Sequence, residues 1–356
     1  MNTSCFPRRW FSTIILLIVL LPKFDSVSLL GQTAFEPRVV QSEFIFNQLP
    51  HESCHASTIS EVEGGLACAW FGGKREGDKS VGIWFSSWDT RNWSKPLEVA
   101  NGIQLDGQRF PAWNPVLFDM PGGPLMLFYK VGPNPRQWWG MLVQSGDQGK
   151  TWSKPVHLPK SILGPIKNKP ILLPNGRILC GVSTEHDGWK VHMETLNNVG
   201  GISDQASWLK SEDFINPVST GAIQPTILVH GKSRFQVLCR NQSRDMILSS
   251  FSEDGVNWSP LEKIGLPNPN SGIDGVTLRD GRHVLVYNHT QRGRSPINLG
   301  ISSDGKQWNR LLELENQRGS EFSYPAIIQT KDELLHITYT WKRRKIKHLV
   351  VDLKKK

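Results

Sequence analysis

The stretch Ser252–Trp258 reads SEDGVNW, and related stretches recur along the chain. Clear copies lie at Ser145–Trp152 (SGDQGKTW) and Ser302–Trp308 (SSDGKQW), a worn copy lies at Ser87–Trp93 (SWDTRNW), and a mostly lost copy ends at Trp208. Successive tryptophans are 59, 56, 50 and 50 residues apart. A period of about 40–50 residues or slightly more is typical of one four-stranded blade, so the spacing predicts a β-propeller.

The residues of this motif, called the Asp box below, suit a tight turn between two strands. The Asp carboxylate accepts hydrogen bonds from backbone amides of the turn, and the Gly supplies a positive φ. The Trp should lie back over the hairpin and cover the space between blades, so we predict that Trp152, Trp258 and Trp308 are buried. We interpret the Asp boxes as structural and exclude their aspartates from the catalytic candidates.

A second pattern with the same period predicts the number of blades. Short apolar strands preceded by polar residues have their third residues at positions 57, 115, 170, 225, 275 and 325, which are 58, 55, 55, 50 and 50 residues apart. Pro often occupies this position, where its missing N–H costs no ladder bond at the start of a strand. Helical periodicity is nearly absent. We therefore predict an all-β, six-bladed β-propeller with Asp-box repeats over residues 36–356.

The last blade lacks an Asp box, because the chain ends at Lys356 after a third strand predicted at 347–353. Its fourth strand must then come from elsewhere in the chain. The alternating segment at 39–46 is the natural donor, and its pairing would close the ring.

The N-terminus has the pattern of an export signal. Arg8 and Arg9 precede a mostly apolar run of twelve residues, Trp10 to Leu21, with small residues soon after. This run is too short to span a bilayer and is typical of a secretory signal peptide. We predict a signal peptide over residues 1–31 and a secreted or periplasmic protein without a stable membrane span, the alternative being an uncleaved anchor.

The charge and composition of the chain indicate which classes of ligand to expect. The formal net charge of +9 favours an anionic ligand or surface on a secreted propeller. The nearest thing to a basic run, at 342–345, is short and lacks a nucleic-acid motif, so we expect no nucleic-acid partner. No His/Cys cluster has zinc spacing, so we expect no metal and no cofactor. We expect a monomer. A Cys54–Cys68 disulfide in the first blade is an alternative that the sequence leaves open.

Strand order predicts one functional face. Inner strands begin on the face where second strands end, whereas the Asp boxes lie on the opposite face. Inner-strand starts and the loops after second strands therefore converge on one funnel, which is rich in cations and includes tryptophans that could stack on sugars. The inner-strand starts contribute His55, Trp113, Asn114, Lys167, Asn168, Lys169, Gln224, Asp274 and Tyr324, and the loops contribute Arg75, Glu76, Asp78, Lys130, Glu185, Arg240, His289, Arg294 and Arg343 among others.

Asp boxes on a six-bladed propeller with a cationic funnel resemble the sialidase (neuraminidase) superfamily. The chain is most similar to a bacterial group of secreted predicted neuraminidases, over about residues 40–353. The segments that carry this likeness are HASTI from His55, WFGGKRE from Trp70, WNPVL from Trp113, GPIKNKP from Gly164, NPNSGID from Asn268 and FSYP from Phe322.

The resemblance implies roles for particular residues. Sialidases hold the substrate carboxylate with three arginines, and use an Asp as acid/base and a Tyr nucleophile assisted by a Glu. It implies that Tyr324 is the nucleophile and Asp78 the acid/base, and that Arg240 and Arg294 are two of the three arginines. Two positions depart from the pattern. His55-Ala-Ser replaces the segment with the first arginine, and the assisting Glu falls near Gln224, with Glu185 one blade earlier as a candidate replacement.

Three functional hypotheses follow. The leading one is an exo-α-sialidase type of glycoside hydrolase on an acidic glycan, with Asp78 or Glu76 as proton donor. The second is a polysaccharide lyase or other glycosidase on uronate-containing glycans, in which His55 or His289 works with Tyr324. The third is a non-catalytic glycan-binding propeller. The candidate catalytic residues are Tyr324, Asp78, Glu76, Glu185 and His55, and the candidate substrate-binding residues are Arg75, Trp113, Asn114, Lys130, Lys167, Lys169, Gln224, Arg240, Asp274, His289 and Arg294.

Overall fold

The computed structural model describes residues 1–2, 37–48 and 50–353. It contains six four-stranded antiparallel sheets, which confirms the predicted all-β, six-bladed propeller. Apart from its first two residues, the predicted signal peptide lies outside the described residues. Among the described residues, no helix has the length and apolar character needed to cross a membrane.

The first three blades follow one another along the chain. Each runs from an inner strand near the axis to an outer strand, and the inner strand of the third is reduced to two residues. Blade I contains β2 (Ser53–Val62), β3 (Gly65–Gly73), β4 (Gly82–Trp88) and β5 (Leu97–Ala100); blade II contains β6 (Ala112–Asp119), β7 (Leu125–Val131), β8 (Trp139–Ser145) and β9 (Val156–His157); blade III contains β10 (Ile171–Leu172), β11 (Ile178–Thr184), β12 (Lys190–Leu196) and β13 (Trp208–Lys210).

The remaining blades complete the ring. Two short 3-10 turns, Val199–Gly201 and Gln205–Ser207, occupy the place of the lost Asp box in blade III. Blade IV contains β14 (Ala222–His230), β15 (Arg234–Asn241), β16 (Met246–Ser252) and β17 (Glu262–Pro267); blade V contains β18 (Asp274–Thr277), β19 (His283–Tyr287), β20 (Ile297–Ser302) and β21 (Asn309–Glu315); blade VI contains β22 (Phe322–Gln329), β23 (Leu335–Trp341), β24 (Lys345–Asp352) and β1 (Arg38–Phe44).

The N-terminal strand closes the ring as predicted. β1 pairs antiparallel with β24, from Arg38 opposite Asp352 to Phe44 opposite Lys347. The next residue continues the contact, because the Ile45 amide donates to the Ile346 carbonyl at 3.0 Å. Without β1, the outer edge of β24 would present a row of unpaired backbone N–H and C=O groups. Its pairing with β1 therefore protects the edge of blade VI.

The Asp boxes act as turns, as predicted. In blade IV the Asp254 carboxylate accepts from the amides of Val256 and Asn257, both at 2.8 Å. Blades also contact through these turns, since the rings of Phe85 in blade I and Trp152 in blade II lie 5.3 Å apart.

The predicted burial of the Asp-box tryptophans was wrong in degree. Trp152, Trp258 and Trp308 are half-buried. Each indole N–H donates to the Gly carbonyl of its own turn, for example Trp308 to Gly305 at 2.9 Å. A half-buried Trp loses less apolar contact on truncation than a buried one, so its contribution to stability is smaller than full burial implies.

The four described cysteines are buried free thiols. Cys68, Cys180 and Cys239 lie in the second strands of blades I, III and IV. Cys54 and Cys68 share an apolar cluster with Trp70 but form no disulfide. The open alternative of a bridge in blade I is therefore not found.

Four inner strands begin with the same irregularity. Their pairing with the second strand shifts at Ala56, Asn114, Gln224 and Tyr324, which have φ of 55°, 41°, 57° and 50°. A bulge of this kind redirects a side chain. Non-glycine residues with positive φ occur preferentially at functional sites. The bulges thus determine which side chains reach the axis.

A buried histidine pair lies beneath the closing strand. His336 Nδ1 and His348 Nε2 are 3.0 Å apart, and His348 Nδ1 lies 3.1 Å from the Glu43 carboxylate of β1. Burial, followed by the neighbouring His348, lowers the pKa of His336 to about 4, although Asp332 acts in the opposite direction. Burial and His230 likewise lower the pKa of the buried His283 to about 4.

These histidines predict acid sensitivity. In the unfolded chain these histidines are protonated below about pH 6.5, whereas in the folded protein they stay neutral until the pH approaches 4. Stability is therefore full above pH 6.5 and falls as the pH drops toward 4, by about 3 kcal/mol for each of His336 and His283. Chemical denaturation at pH 7 and pH 4 measures the loss. His336→Asn should make the free energy of unfolding depend less on pH, whereas His157→Asn, at an exposed position, should leave that dependence unchanged. A wild-type stability that is the same at pH 7 and pH 4 would contradict the role of these histidines.

Candidate functional site

Tyr324 lies at the centre of the predicted funnel. Its hydroxyl accepts a hydrogen bond from Arg240 Nη1 at 2.6 Å and one from Gln224 Nε2 at 3.1 Å. Arg240 Nη1 also donates to Gln224 Oε1 at 3.2 Å. The structure thus brings together three predicted site residues from blades IV and VI. Among the described residues, both partners of the hydroxyl are nitrogen donors, and no carboxylate accepts its proton.

Cations surround the Tyr324 ring. The guanidinium carbons of Arg240 and Arg294 lie 5.7 and 5.6 Å from the ring centroid, and Lys167 Nζ lies 5.9 Å from it. Cations at such distances are attracted to the negative face of an aromatic ring. The ring therefore stands where two guanidinium groups and a lysine converge, on a funnel where the sequence predicts an anionic ligand.

A third arginine and a glutamate complete this cluster. Glu321 Oε1 accepts from Arg294 Nη1 at 2.8 Å and from Arg343 Nε at 2.7 Å. Burial would raise the pKa of Glu321, but Arg343 and Arg294 outweigh it and hold this pKa below its usual value. The sequence placed Arg343 in the funnel without a site role and missed Glu321. The available signal was its position three residues before Tyr324.

His55 packs directly on Tyr324. The two ring centroids are 4.1 Å apart at an interplanar angle of 46°, and His55 Nδ1 lies 2.9 Å from Thr340 Oγ1. Burial lowers the pKa of His55 well below its usual value, and the nearby cations, Arg343 first among them, lower it further. His55 is therefore a neutral imidazole at neutral pH.

The predicted lysines lie in the interior of the ring. Lys130 Nζ donates to the Pro165 carbonyl at 2.8 Å, and Lys167 Nζ donates to the Ile273 carbonyl at 2.9 Å. Burial lowers the pKa of both lysines to about 7. Their ammonium groups are occupied by the protein, so neither offers a free charge to a ligand in this arrangement.

Asp274 is likewise bound by protein groups. Its carboxylate lies 2.9 Å from Lys169 Nζ, and it accepts from Thr226 Oγ1 at 2.8 Å and from the Ile327 amide at 2.9 Å. These contacts link blades III, IV, V and VI. Within the described residues, no group of three His, Cys, Asp or Glu side chains could hold a metal ion.

The profile of the BNR repeat-like domain family matches residues 64–337. The chain belongs to this family. A search of curated protein sequences found no significant match.

Solved structures resemble this BNR repeat-like protein in fold. A protein of unknown function from Dyadobacter fermentans has a TM-score of 0.73 at 15% identity, over 89% of this chain and 99% of that one. An intramolecular trans-sialidase from Ruminococcus gnavus, in complex with oseltamivir carboxylate, has a TM-score of 0.69 at 11% identity, and the match covers 88% of this chain and 98% of that one. The NanB sialidase from Streptococcus pneumoniae has a TM-score of 0.68 at 12% identity, and the match covers 87% of this chain and 70% of that one. At such identities these likenesses show that the chain shares the propeller fold of sialidases.

The predicted carboxylates of the BNR repeat-like protein differ in environment. The Asp78 carboxylate accepts from the hydroxyl of Ser80 at 2.6 Å and from its amide at 2.9 Å, and the hydroxyl contributes most to lowering the pKa of Asp78. Glu76 is paired with Arg343 at 2.5 Å. Arg75, in the same loop, is exposed. The loop thus lies beside the arginine cluster, and its two carboxylates are held by a hydroxyl and a cation.

Glu185 is the predicted carboxylate whose pKa is raised. Burial raises it, and the charge of Arg240 acts in the opposite direction. Glu185 follows β11 and lines a cavity of about 280 Å³ that also includes Arg136 and Trp138. A raised pKa favours the protonated form of this carboxyl.

Three further predicted residues are buried or bound to neighbours other than Tyr324. Trp113 is buried and donates its indole N–H to the Gly132 carbonyl at 2.9 Å. Asn114 is buried at its bulge. His289 Nδ1 lies 2.7 Å from the Tyr287 hydroxyl, within blade V. The structure therefore brings His55 against Tyr324, and keeps His289 with another tyrosine.

Proposed function

We propose that the protein is an exo-acting glycosidase of the sialidase type that cleaves a carboxylate-bearing sugar from an acidic glycan. The observation that carries this proposal is the pair of Arg240 and Arg294 at the Tyr324 ring, with Arg343 joined to Arg294 through Glu321. Guanidinium groups bind carboxylates through paired hydrogen bonds, so such a cluster suits an anionic sugar. Arg343 supplies a third arginine where the superfamily's first arginine is replaced by the His55 segment.

In this proposal the Tyr324 oxygen bonds to the anomeric carbon as the glycosidic C–O bond breaks, the leaving oxygen takes a proton from the acid, and the phenol proton passes to solvent. Water then cleaves the tyrosyl–sugar bond, which releases the sugar and restores the phenol. A neutral phenol is repelled less by the sugar's carboxylate than a charged nucleophile. Glu185 is the favoured proton donor on account of its raised pKa. Asp78 and Glu76 remain candidates from the loop beside Arg343. Export to the periplasm or the exterior, and action as a monomer, are part of the proposal and rest on the sequence.

A second candidate function is favoured by one contact. The neutral His55 imidazole packs on Tyr324, whose hydroxyl has no carboxylate partner among the described residues. In a uronate lyase the arginines would neutralise the carboxylate, and Tyr324 or His55 would remove the proton on the adjacent carbon. The glycosidic C–O bond then breaks as a C=C bond forms, and the leaving oxygen is protonated.

A substrate panel tests these functions. The pure protein is incubated with sialosides and with uronate polymers, and reducing ends and ultraviolet absorbance are followed together. Reducing ends without new absorbance support the hydrolase, whereas absorbance from an unsaturated product overturns it in favour of the lyase. Binding without any product overturns both and leaves a glycan-binding propeller.

Arginine replacements test the carboxylate clamp. Arg240→Ala and Arg294→Ala should each weaken binding of the anionic glycan by about 2–5 kcal/mol, because each leaves the carboxylate without a partner. Lysine at either position should restore only part, since it lacks the planar fork. Calorimetric titration measures both.

The matched control removes the same charge elsewhere. Arg91 is exposed in the Asp box of blade I, on the opposite face, so Arg91→Ala should bind normally. If the Arg240 and Arg294 variants weakened neutral and anionic glycans equally, the clamp would be wrong.

A further inference from the structure

Blade III departs from the others at the axis. Its inner strand has only two residues, and the segment 163–169 lies where the start of that strand would be. Two buried charges hold this segment. The Glu194 carboxylate accepts from the amides of Leu163 and Gly164 at 3.1 and 2.7 Å, and Lys130 donates to the Pro165 carbonyl at 2.8 Å.

The segment brings Lys167 against the main chain of the site. Its buried ammonium donates to the carbonyls of Ile273 in blade V, at 2.9 Å, and of Pro325 in blade VI. It also donates to Asn168 Oδ1 at 2.8 Å. Pro325 directly follows Tyr324, so Lys167 holds the main chain of the inner strand next to the phenol.

Asn168 holds the second member of the site. Its Nδ2 donates to the Gln224 carbonyl at 3.0 Å. Gln224 and Tyr324 are the two residues whose side chains meet at the hydroxyl, and both have positive φ, 57° and 50°. Such conformations persist only where the surroundings determine them, and Lys167 and Asn168 supply contacts of that kind.

We propose that Lys167 and Asn168 form a positioning pair that fixes the Tyr324 phenol against Gln224 and Arg240, instead of binding substrate. The inference rests on the proposed function, in which Tyr324 acts on the sugar. A buried lysine is costly unless its charge is fully hydrogen-bonded. Here all three ammonium protons have acceptors, two of them main-chain carbonyls at the inner ends of different blades.

The first test needs no substrate. The chain has four tyrosines, so incorporation of 3-fluorotyrosine should give four fluorine NMR lines, and Tyr324→Phe identifies the line of Tyr324. In Lys167→Met this line should shift, broaden or split, while the other three stay in place. Asn168→Asp removes the donor to the Gln224 carbonyl but keeps an oxygen that accepts from Lys167, now as a carboxylate, and should have a smaller effect on the same line.

A stability-matched control separates positioning from general loosening. Leu299→Ala truncates a buried residue of β20 in blade V and should lower the melting temperature without moving the Tyr324 line. If Lys167→Met does not fold, Asn168→Asp decides the outcome. An unmoved Tyr324 line in the folded variants, or an equal shift in Leu299→Ala, would overturn the proposal.

The second test uses the substrate that the panel identifies. Both variants should lower kcat, by about 10- to 100-fold for Lys167→Met, with KM changed little, because misplacement of a reacting group by about 1 Å acts on the chemical step. A rise in KM at constant kcat would instead make Lys167 a binding residue and overturn the inference. If the wild type turns over none of the probes, the proposed function fails, and the NMR result alone decides whether the pair positions Tyr324.

Discussion

Replacing Tyr324 with phenylalanine should lower turnover on the true substrate about 100-fold or more, with little change in stability. The substitution removes one oxygen and the two hydrogen bonds that it accepts from Arg240 and Gln224. The ring should remain between His55 and the surrounding cations, because those contacts involve its carbon atoms. Steady-state kinetics and thermal melting of the purified variant measure the two quantities.

Tyr129 provides the matched control. It lies in β7 of blade II, and its buried hydroxyl has no hydrogen-bond partner among the described residues. Tyr129→Phe should therefore leave turnover unchanged and should not destabilise the protein, since it removes an unsatisfied polar atom. A stable Tyr324→Phe variant with wild-type turnover would exclude this hydroxyl from both the glycosidase and the lyase mechanism.

Deleting residues 36–46 should destabilise the propeller by at least about 5 kcal/mol. The deletion removes β1 and leaves the edge of β24 unpaired. It also removes the buried Ile45 and Phe46, whose truncation alone costs about 2–5 kcal/mol each in a core. Phe46 stacks on Trp70 of blade I at a centroid distance of 4.9 Å, so the loss reaches the neighbouring blade.

Single substitutions divide this effect into its parts. Phe46→Ala should account for a large share of the loss. Val39→Thr and Val40→Thr change exposed positions of the same strand and should have little effect. Denaturant unfolding gives the free energies. A deletion variant that melts with the wild type would show that β1 does not close the ring.

The propeller could be predicted because its defining motif is local. In the Asp box of blade IV, Asp254 bonds to amides only two and three residues away, so the complete device is contained in one short stretch of sequence. Its repetition gives the number of blades, and the missing copy at the end indicates that another segment must complete the last blade. The β1–β24 pairing confirms that inference.

Part of the site could also be predicted, because inner strands of a propeller converge on one axis whatever the details of packing. Tyr324, Arg240 and Gln224 were placed in one funnel on this basis, and the structure brings them within hydrogen-bonding distance. The sequence by itself thus determined the fold and placed Tyr324 in one funnel with Arg240 and Gln224, since both follow from periodicity and strand order, whereas the role expected of Tyr324 follows from the resemblance to sialidases.

Only the tertiary structure decided what each polar side chain contacts. Lys167 was expected to face a ligand, yet it bonds to carbonyls 106 and 158 residues away along the chain. Glu321 had no predicted role, yet it joins Arg294 and Arg343. Such contacts depend on bulges at positive φ and on the register between blades, which differ from strand to strand. Residue type and spacing do not encode them, because the same lysine or glutamate suits a solvent-exposed loop equally well.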